Sequence, residues 1–348
     1  MILKYLDLFA GIGGFRQALI NSSLKNVKFE PIGYCEIEKK CQLVYNEIFG
    51  TDGEVIVDDV KKIFSPDMVN VDGSKKLPEF DLLLGGFPCQ PFSNVGYRKG
   101  LEDPRGELFF EIVRILRHYK PSFFILENVS KISSVSSGDA LKTIISELEE
   151  AGYNVHLWDL YADHYGLPQK RRRLFFCGVL REYSIGNELL LEPQPIPREE
   201  WKYPTTWHLL EKEMNPRHLI PTKTRETVLR PNPKWMGNLQ IDRPIARPIT
   251  ASMSKWHRAN QDNYFSATYV SPNNPNPYIS PIVDMEKEPI RRITPLEGFR
   301  IQGFPDIYAE ICEVHKISFS ATYKMIGNAV PVNLATSVID HFLANYLK

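Results

Sequence analysis

The sequence predicts an α/β fold, a doubly wound, mostly parallel sheet joined to a second, smaller, irregular β-rich lobe. Three features predict it. Short apolar runs alternate with helix-period segments through the first half of the chain, the pattern of strands linked by crossover helices. A glycine-rich turn separates the first apolar run from the first helical segment, at the sheet edge where such folds bind ligands. Near Glu192 the texture changes, and 16 of the 26 prolines fall between residues 193 and 295.

Strand candidates are residues 2–9, 29–35, 54–57, 80–85 and 122–127, followed by 154–161 and 174–180. Between them, residues 13–22, 37–49, 107–119 and 139–151 repeat apolar side chains at steps of three and four. Leu108, Phe109, Ile112, Val113, Ile115 and Leu116 define one helical face. Prolines at the later density fix extended or turning backbone and prevent long helices, so residues 181–290 read as the second lobe. Helical patterning then returns: Leu334, Val338, Ile339, Phe342, Leu343 and Tyr346 share a face that is expected to pack back on the first lobe.

With 348 residues, 43% of them hydrophobic, the chain can bury a substantial core and divide into two lobes. Lys+Arg and Asp+Glu are equal at 42 each, so overall charge points to no polyanionic partner. Residues 198–258 carry 12 Lys/Arg against 6 Asp/Glu, a modest basic patch compatible with phosphate contacts. The five cysteines (Cys35, Cys41, Cys89, Cys177, Cys312) are scattered. With neither C-x-x-C nor H-E-x-x-H spacing, they predict no disulfide framework and no metal site. Met1 runs straight into a strand pattern, and no long apolar segment or lipidation signal follows. The expectation is a cytoplasmic protein with no membrane contact.

Residues 7–15, Asp-Leu-Phe-Ala-Gly-Ile-Gly-Gly-Phe, join the first strand to the first helix. Gly11, Gly13 and Gly14 permit a tight turn and a close ligand approach at a helix N-terminus. Glu36 ends the second strand 22 residues after Gly14, where a carboxylate can accept both hydroxyls of a ribose. Asp59 follows the third strand and could accept from an adenine amino group. These features together favour an adenosine-containing cofactor, and alone they do not separate NAD from S-adenosylmethionine.

Residues 85–93, Gly-Gly-Phe-Pro-Cys-Gln-Pro-Phe-Ser, follow the fourth strand. Pro88 and Pro91 stiffen the backbone around Cys89, which makes that thiol a better nucleophile candidate than an inert core cysteine. The polar, glycine-containing residues 94–106 read either as a plain surface loop or as a lid over Cys89. Glu127 ends the fifth strand on the same sheet edge, able to share a proton with a substrate ring. In the basic run 169–174, strand alternation would point Arg171 and Arg173 the same way.

In this order, these segments resemble the C5 cytosine DNA methyltransferase family, and the resemblance covers most of the chain. Residues 7–15 resemble its cofactor loop and Phe87-Pro88-Cys89-Gln90 its catalytic loop. Glu127-Asn128-Val129 resembles its base-binding carboxylate segment, and residues 169–173 its Q-x-R-x-R segment. Residues 291–306 resemble the family's late motif, with Leu296 where Arg is frequent, and Gly327-Asn328-Ala329-Val330-Pro331 resembles its last one.

The resemblance implies the Rossmann-like sheet of class I S-adenosylmethionine methyltransferases. Phe9, Gly11, Ile12, Gly13, Gly14, Glu36, Ile37, Asp59, Pro88 and Asn328 would line the S-adenosylmethionine pocket, with no metal. Cys89 would be the nucleophile, Glu127 the partner of the base N3 edge, and Arg171 and Arg173 would orient the base and the catalytic loop. Ser93 and Asn128 become candidates for contact with the base. In the second lobe, residues 251–258 mix aromatic and cationic side chains suited to DNA, with Lys255 as a phosphate contact and Arg258 as a base reader. Trp256 fits packing and DNA contact about equally.

Residues 1–180 would then hold catalysis and cofactor, 181–290 target recognition, and 291–348 a hinge returning to the catalytic lobe. Double-stranded DNA is the implied partner of a monomer, with a cognate restriction endonuclease acting separately. One branch of the family modifies tRNA, but the second lobe lacks the Cys-Phe-Thr segment of that branch. A silent DNA-binding scaffold is the reading from another class, and intact Cys89, Glu127, Arg171 and Arg173 oppose it.

Overall fold

The computed structural model describes residues 1–65, 77–88, 107–132, 138–184, 190–230 and 240–347. Its first half runs β1 (Ile2–Leu8), α1 (Gly14–Ile20), β2 (Lys28–Cys35), α2 (Lys39–Phe49), β3 (Val55–Val57) and β4 (Leu82–Gly86). Then come α3 (Glu107–Tyr119), β5 (Phe123–Val129), α4 (Asp139–Glu150), β6 (Tyr153–Tyr161) and β7 (Arg172–Leu180). The seven strands form one sheet in the order β3-β2-β1-β4-β5-β7-β6. β1 to β5 pair in parallel, whereas β7 runs antiparallel to β5. The expected doubly wound sheet is therefore present, with β7 reversed against β5 near one edge.

The core follows from the sequence periods. Leu83, Phe124 and Leu126 from the strands meet Phe109, Ile112 and Leu116 of α3 and Ile144 and Leu148 of α4. Each such side chain contributes roughly 1.5–3 kcal/mol on burial.

The chain divides into two compact units, one of Met1–Leu160, Arg172–Gln194 and Ala335–Lys348, the other of Tyr161–Arg171 and Pro195–Leu334. The second is irregular, as its prolines require. It holds α5 (Thr222–Leu229), β8 (Tyr264–Ser266), α6 (Ala267–Val270) and β9 (Ile290–Arg292). α7 (Pro295–Ile301), α8 (Ile307–Val314) and α9 (Phe319–Asn328) follow. β8 and β9 form a small antiparallel pair over a core of Ile220, Val228, Ile241, Ala259, Tyr264 and Ile290. Thr294 and Glu297 close a capping box at the start of α7, where Glu297 also forms a fully buried ion pair with Arg291.

α10 (Val332–Tyr346) ends the fold. In the first unit its Phe342 ring lies 6.0 Å from that of Phe123, and the Tyr346 hydroxyl is 2.8 Å from His156 Nε2. The apolar face read from the sequence is the face that packs. Among the described residues no helix is long and apolar enough to cross a membrane, and no group of His, Cys, Asp and Glu is placed to hold a metal.

Candidate active site

The strand order creates the site. From β1 the chain builds outward to β3, then crosses back to lay β4 on the other side of β1. That reversal opens a crevice beyond the carboxyl ends of β1 and β4. β1 runs out into the glycine turn, and β4 runs out into Phe87, Pro88 and Cys89. The two motifs singled out in the sequence thus leave adjacent strand ends.

Beyond β1 the backbone makes a left-handed turn, with Phe9 at φ 52°, Gly11 at 56° and Gly13 at 85°. A Cβ on Gly13 would lie 2.3 Å from Phe49 Cε2, so glycine is required there both for conformation and for space. Across the turn, Glu36 Oε2 accepts from Gly11 N at 2.8 Å and Oε1 accepts from Glu38 N at 2.8 Å. Each oxygen keeps one further acceptor position, which suits a pair of ribose hydroxyls. Glu36 is buried, and burial raises its pKa while those backbone N–H groups oppose the rise. Asp59 caps a short turn by accepting from Lys61 N at 3.0 Å. Ile12 and Gly14 are buried, and Ile37 is exposed.

At the end of β1 Asp7 is fully buried, in reach of Tyr45 and Arg16. Desolvation pushes its pKa to about 8, opposed by nearby Arg16, reinforced by Glu36 and opposed again by a hydrogen bond from Tyr45. Arg16 itself is bound to Glu54 at 2.8 Å.

The other strand end leads through Phe87 and Pro88 toward Cys89. Cys89 and Ser93 lie outside the described residues, while Pro88 is described and exposed. Phe87 anchors the loop base, its ring 5.5 Å from Phe109 and 6.2 Å from Phe176. Asn128 is buried and donates through Nδ2 to Phe87 O at 3.0 Å. It therefore holds the backbone two residues before Cys89. Parallel register sets Glu127 opposite Gly86, and a Cβ on Gly86 would lie only 3.3 Å from Glu127 Oε2. Glu127 thus stands beside the end of β4.

Arg173 completes this group: its Nε is 2.5 Å from Glu127 Oε1, a charge contact without the alignment of a hydrogen bond. Elsewhere, Cys35, Cys177 and Cys312 are buried and unpaired. Burial raises the pKa of all three thiols, that of Cys312 to about 11, so none is a ready nucleophile. Cys41 lies on α2.

Comparison with known proteins decides the family. The model of the C-5 cytosine-specific DNA methylase family matches residues 3–344. The chain belongs to this family. It is a DNA cytosine-5 methyltransferase, and the methylase is similar over its length to several curated relatives. It is 30% identical to the Type II methyltransferase M.FnuDI of Fusobacterium nucleatum, covering 96% of this chain and 92% of that one. It is 32% identical to the Type II methyltransferase M.HpaII of Haemophilus parainfluenzae, covering 94% and 86%. Among solved structures, the Entamoeba histolytica methyltransferase EhMeth superposes with a TM-score of 0.72 at 19% identity, each chain covered completely. The S. pombe Dnmt2 methyltransferase gives 0.70 at 19% identity with the same coverage. At that identity the two structures show the shared fold.

Arg171 belongs to the second unit of the methylase. It precedes β7, is buried, and donates to the carbonyls of Ile249 and Gly327 at 2.7 Å and of Ala329 at 3.1 Å. Strand alternation does not govern a residue outside the strand. Asn328 ends α9 with its side chain exposed. Lys255 is exposed, whereas Arg258 is half-buried and donates to Arg230 O at 3.1 Å. Trp256 carries the Arg292 guanidinium 3.2 Å from its ring centroid and stacks on Tyr264, so packing occupies it. Sequence reasoning missed Asp7 as a buried acid and Asn128 as the clamp on Phe87. The only signal for either was a polar residue inside an apolar strand.

Proposed function

We propose that the methylase transfers the methyl group of S-adenosylmethionine to carbon 5 of a flipped-out cytosine in a specific duplex sequence, through an adduct between Cys89 and carbon 6. The observation that carries this reading is Glu127, set by register beside the root of the Cys89 loop and braced by Arg173. Cytosine C5 is too electron-poor to take a methyl group unaided. Addition of the Cys89 thiolate to C6, with Glu127 protonating or hydrogen-bonding N3, turns C5 into an enamine-like nucleophile. Once C5 carries the methyl group, loss of the C5 proton re-forms the C5–C6 double bond and expels Cys89. A stacked base presents neither face to two reactants, so the target leaves the helix. Asn128 keeps the loop base in place by holding Phe87 O.

Glu36, Asp59 and the glycine turn would hold S-adenosylmethionine, which supplies the electrophilic methyl group. Residues 1–180 would carry catalysis, 181–290 target choice and 291–348 the return to the catalytic lobe. Similarity to Type II methyltransferases supports a role as the modification partner of a separate restriction endonuclease, acting as a monomer on double-stranded DNA in the cytoplasm.

Incubation of the purified protein with duplex DNA and S-adenosylmethionine, followed by bisulfite sequencing, tests the reading. Protected cytosines at one recurring sequence are expected. Uniform conversion, or methylation of tRNA transcript in preference to duplex, would overturn it.

A further inference from the structure

Three fully buried polar side chains meet in the second unit: Gln169, Arg171 and Gln302. Gln169 Oε1 accepts from Ile249 N at 3.0 Å, and its Nε2 donates to Gln302 Oε1 at 3.0 Å and to Ile301 O at 3.2 Å. Gln302 Nε2 donates onward to Ile326 O at 2.7 Å. Arg171 closes the group, spanning from Ile249 O to the carbonyls of Gly327 and Ala329. Both backbone polar groups of Ile249 are therefore held by side chains from the 169–171 segment, and the same segment reaches the end of α9. Gly327 reinforces the junction. A Cβ there would lie 2.2 Å from Ala251 N and 2.4 Å from Thr250 C, so α9 ends in direct backbone contact with residues 250 and 251.

Buried hydrogen bonds of this kind fix geometry, because each lost partner leaves a polar group stranded away from water. Residues 249–251 are the root from which the segment bearing Lys255 and Arg258 departs. We infer that Arg171, with Gln169 and Gln302, is a positioning residue that locks the root of residues 251–258 onto the end of α9. Its effect is on engagement of the DNA target rather than on the chemical step at the base. The inference rests on the reading of residues 251–258 as a DNA-contacting segment. It separates the two arginines of one short motif into different tasks: Arg173 braces Glu127, and Arg171 holds the segment that meets DNA.

The test is a split between binding and chemistry. Arg171→Lys keeps the charge but loses the planar two-sided grip. It should raise KM for cognate duplex by about 10-fold or more, the value of a charge-assisted hydrogen bond. It should also narrow the preference for cognate over single-mismatch duplex. The single-turnover rate at saturating DNA should change much less. Arg173→Lys should give the opposite pattern. A fall in the saturated single-turnover rate of Arg171→Lys, with KM and sequence preference intact, would overturn the assignment.

Amide hydrogen exchange on the wild-type protein tests the lock without any variant. The Ile249 amide, held by Gln169, should exchange as slowly as those of β4, and fast exchange there contradicts the lock. Lys255→Ala separates this proposal from the reading beneath it. Unchanged duplex affinity and salt dependence in that variant would remove residues 251–258 from the DNA interface, whatever Arg171→Lys does.

Discussion

Arg173 reaches Glu127 because β7 runs antiparallel to β5: the register sets Arg173 opposite Val129 and Phe175 opposite Glu127. Arg173 is thereby the diagonal neighbour of Glu127 on one face, within reach of a long side chain. A parallel β7 would have placed a different residue there. The reversed strand is thus what gives the candidate acid its cationic brace.

Glu127→Gln keeps the shape of the side chain and removes its proton chemistry. The single-turnover methylation rate should fall by about 10²- to 10⁴-fold, the usual range for a positioned acid or base. Arg173→Lys, which loses the guanidinium geometry, should give a smaller fall in the same rate. A Gln variant with wild-type turnover would remove Glu127 from the mechanism.

Glu36→Ala should weaken S-adenosylmethionine binding by roughly 10- to 150-fold, corresponding to about 1.5–3 kcal/mol for a charged hydrogen-bond partner. The Gly11 and Glu38 amides would also lose their acceptor, so a folded variant must first be established by circular dichroism. Calorimetry giving an unchanged dissociation constant would contradict the ribose-binding role.

Asp7 predicts a pH-dependent stability. Its folded pKa of about 8 lies above the ordinary value of 3.8, so the folded state retains a proton that the unfolded chain releases. The stability this provides is complete below about pH 4 and is lost as pH rises through about 8, by up to about 1.4 kcal/mol per pH unit. Asp7→Asn should therefore melt at a higher temperature than wild type at pH 8, with the gap closing toward pH 4. A gap that is constant or widens at low pH contradicts a buried acid that keeps its proton at this position.

Much of this was legible in the sequence, and the gaps have physical causes. The Glu107–Tyr119 helix was legible because its apolar residues recur at helical steps and α3 buries that face. The place of Glu36 at the end of β2 was legible from the strand pattern, whereas its bonds to the Gly11 and Glu38 amides were not. The direction and place of β7 were not legible. Leu174–Leu180 is apolar on both faces, so periodicity says strand but neither orientation nor neighbours, which tertiary packing decides. The separation of Arg171 from Arg173 was hidden for a related reason, since the strand begins at Arg172 and alternation stops there. The buried Arg291–Glu297 pair was not legible, because a sequence shows composition and not partners.

The most direct measurement is covalent trapping on duplex DNA containing 5-fluorocytosine at the target position, with S-adenosylmethionine present. Fluorine cannot leave as a proton does, so the adduct should persist through denaturation, and its peptide should map to Cys89. Cys89→Ser should form no adduct while still binding S-adenosylmethionine. An adduct on another cysteine, or undiminished methyl transfer by Cys89→Ser, would contradict the account.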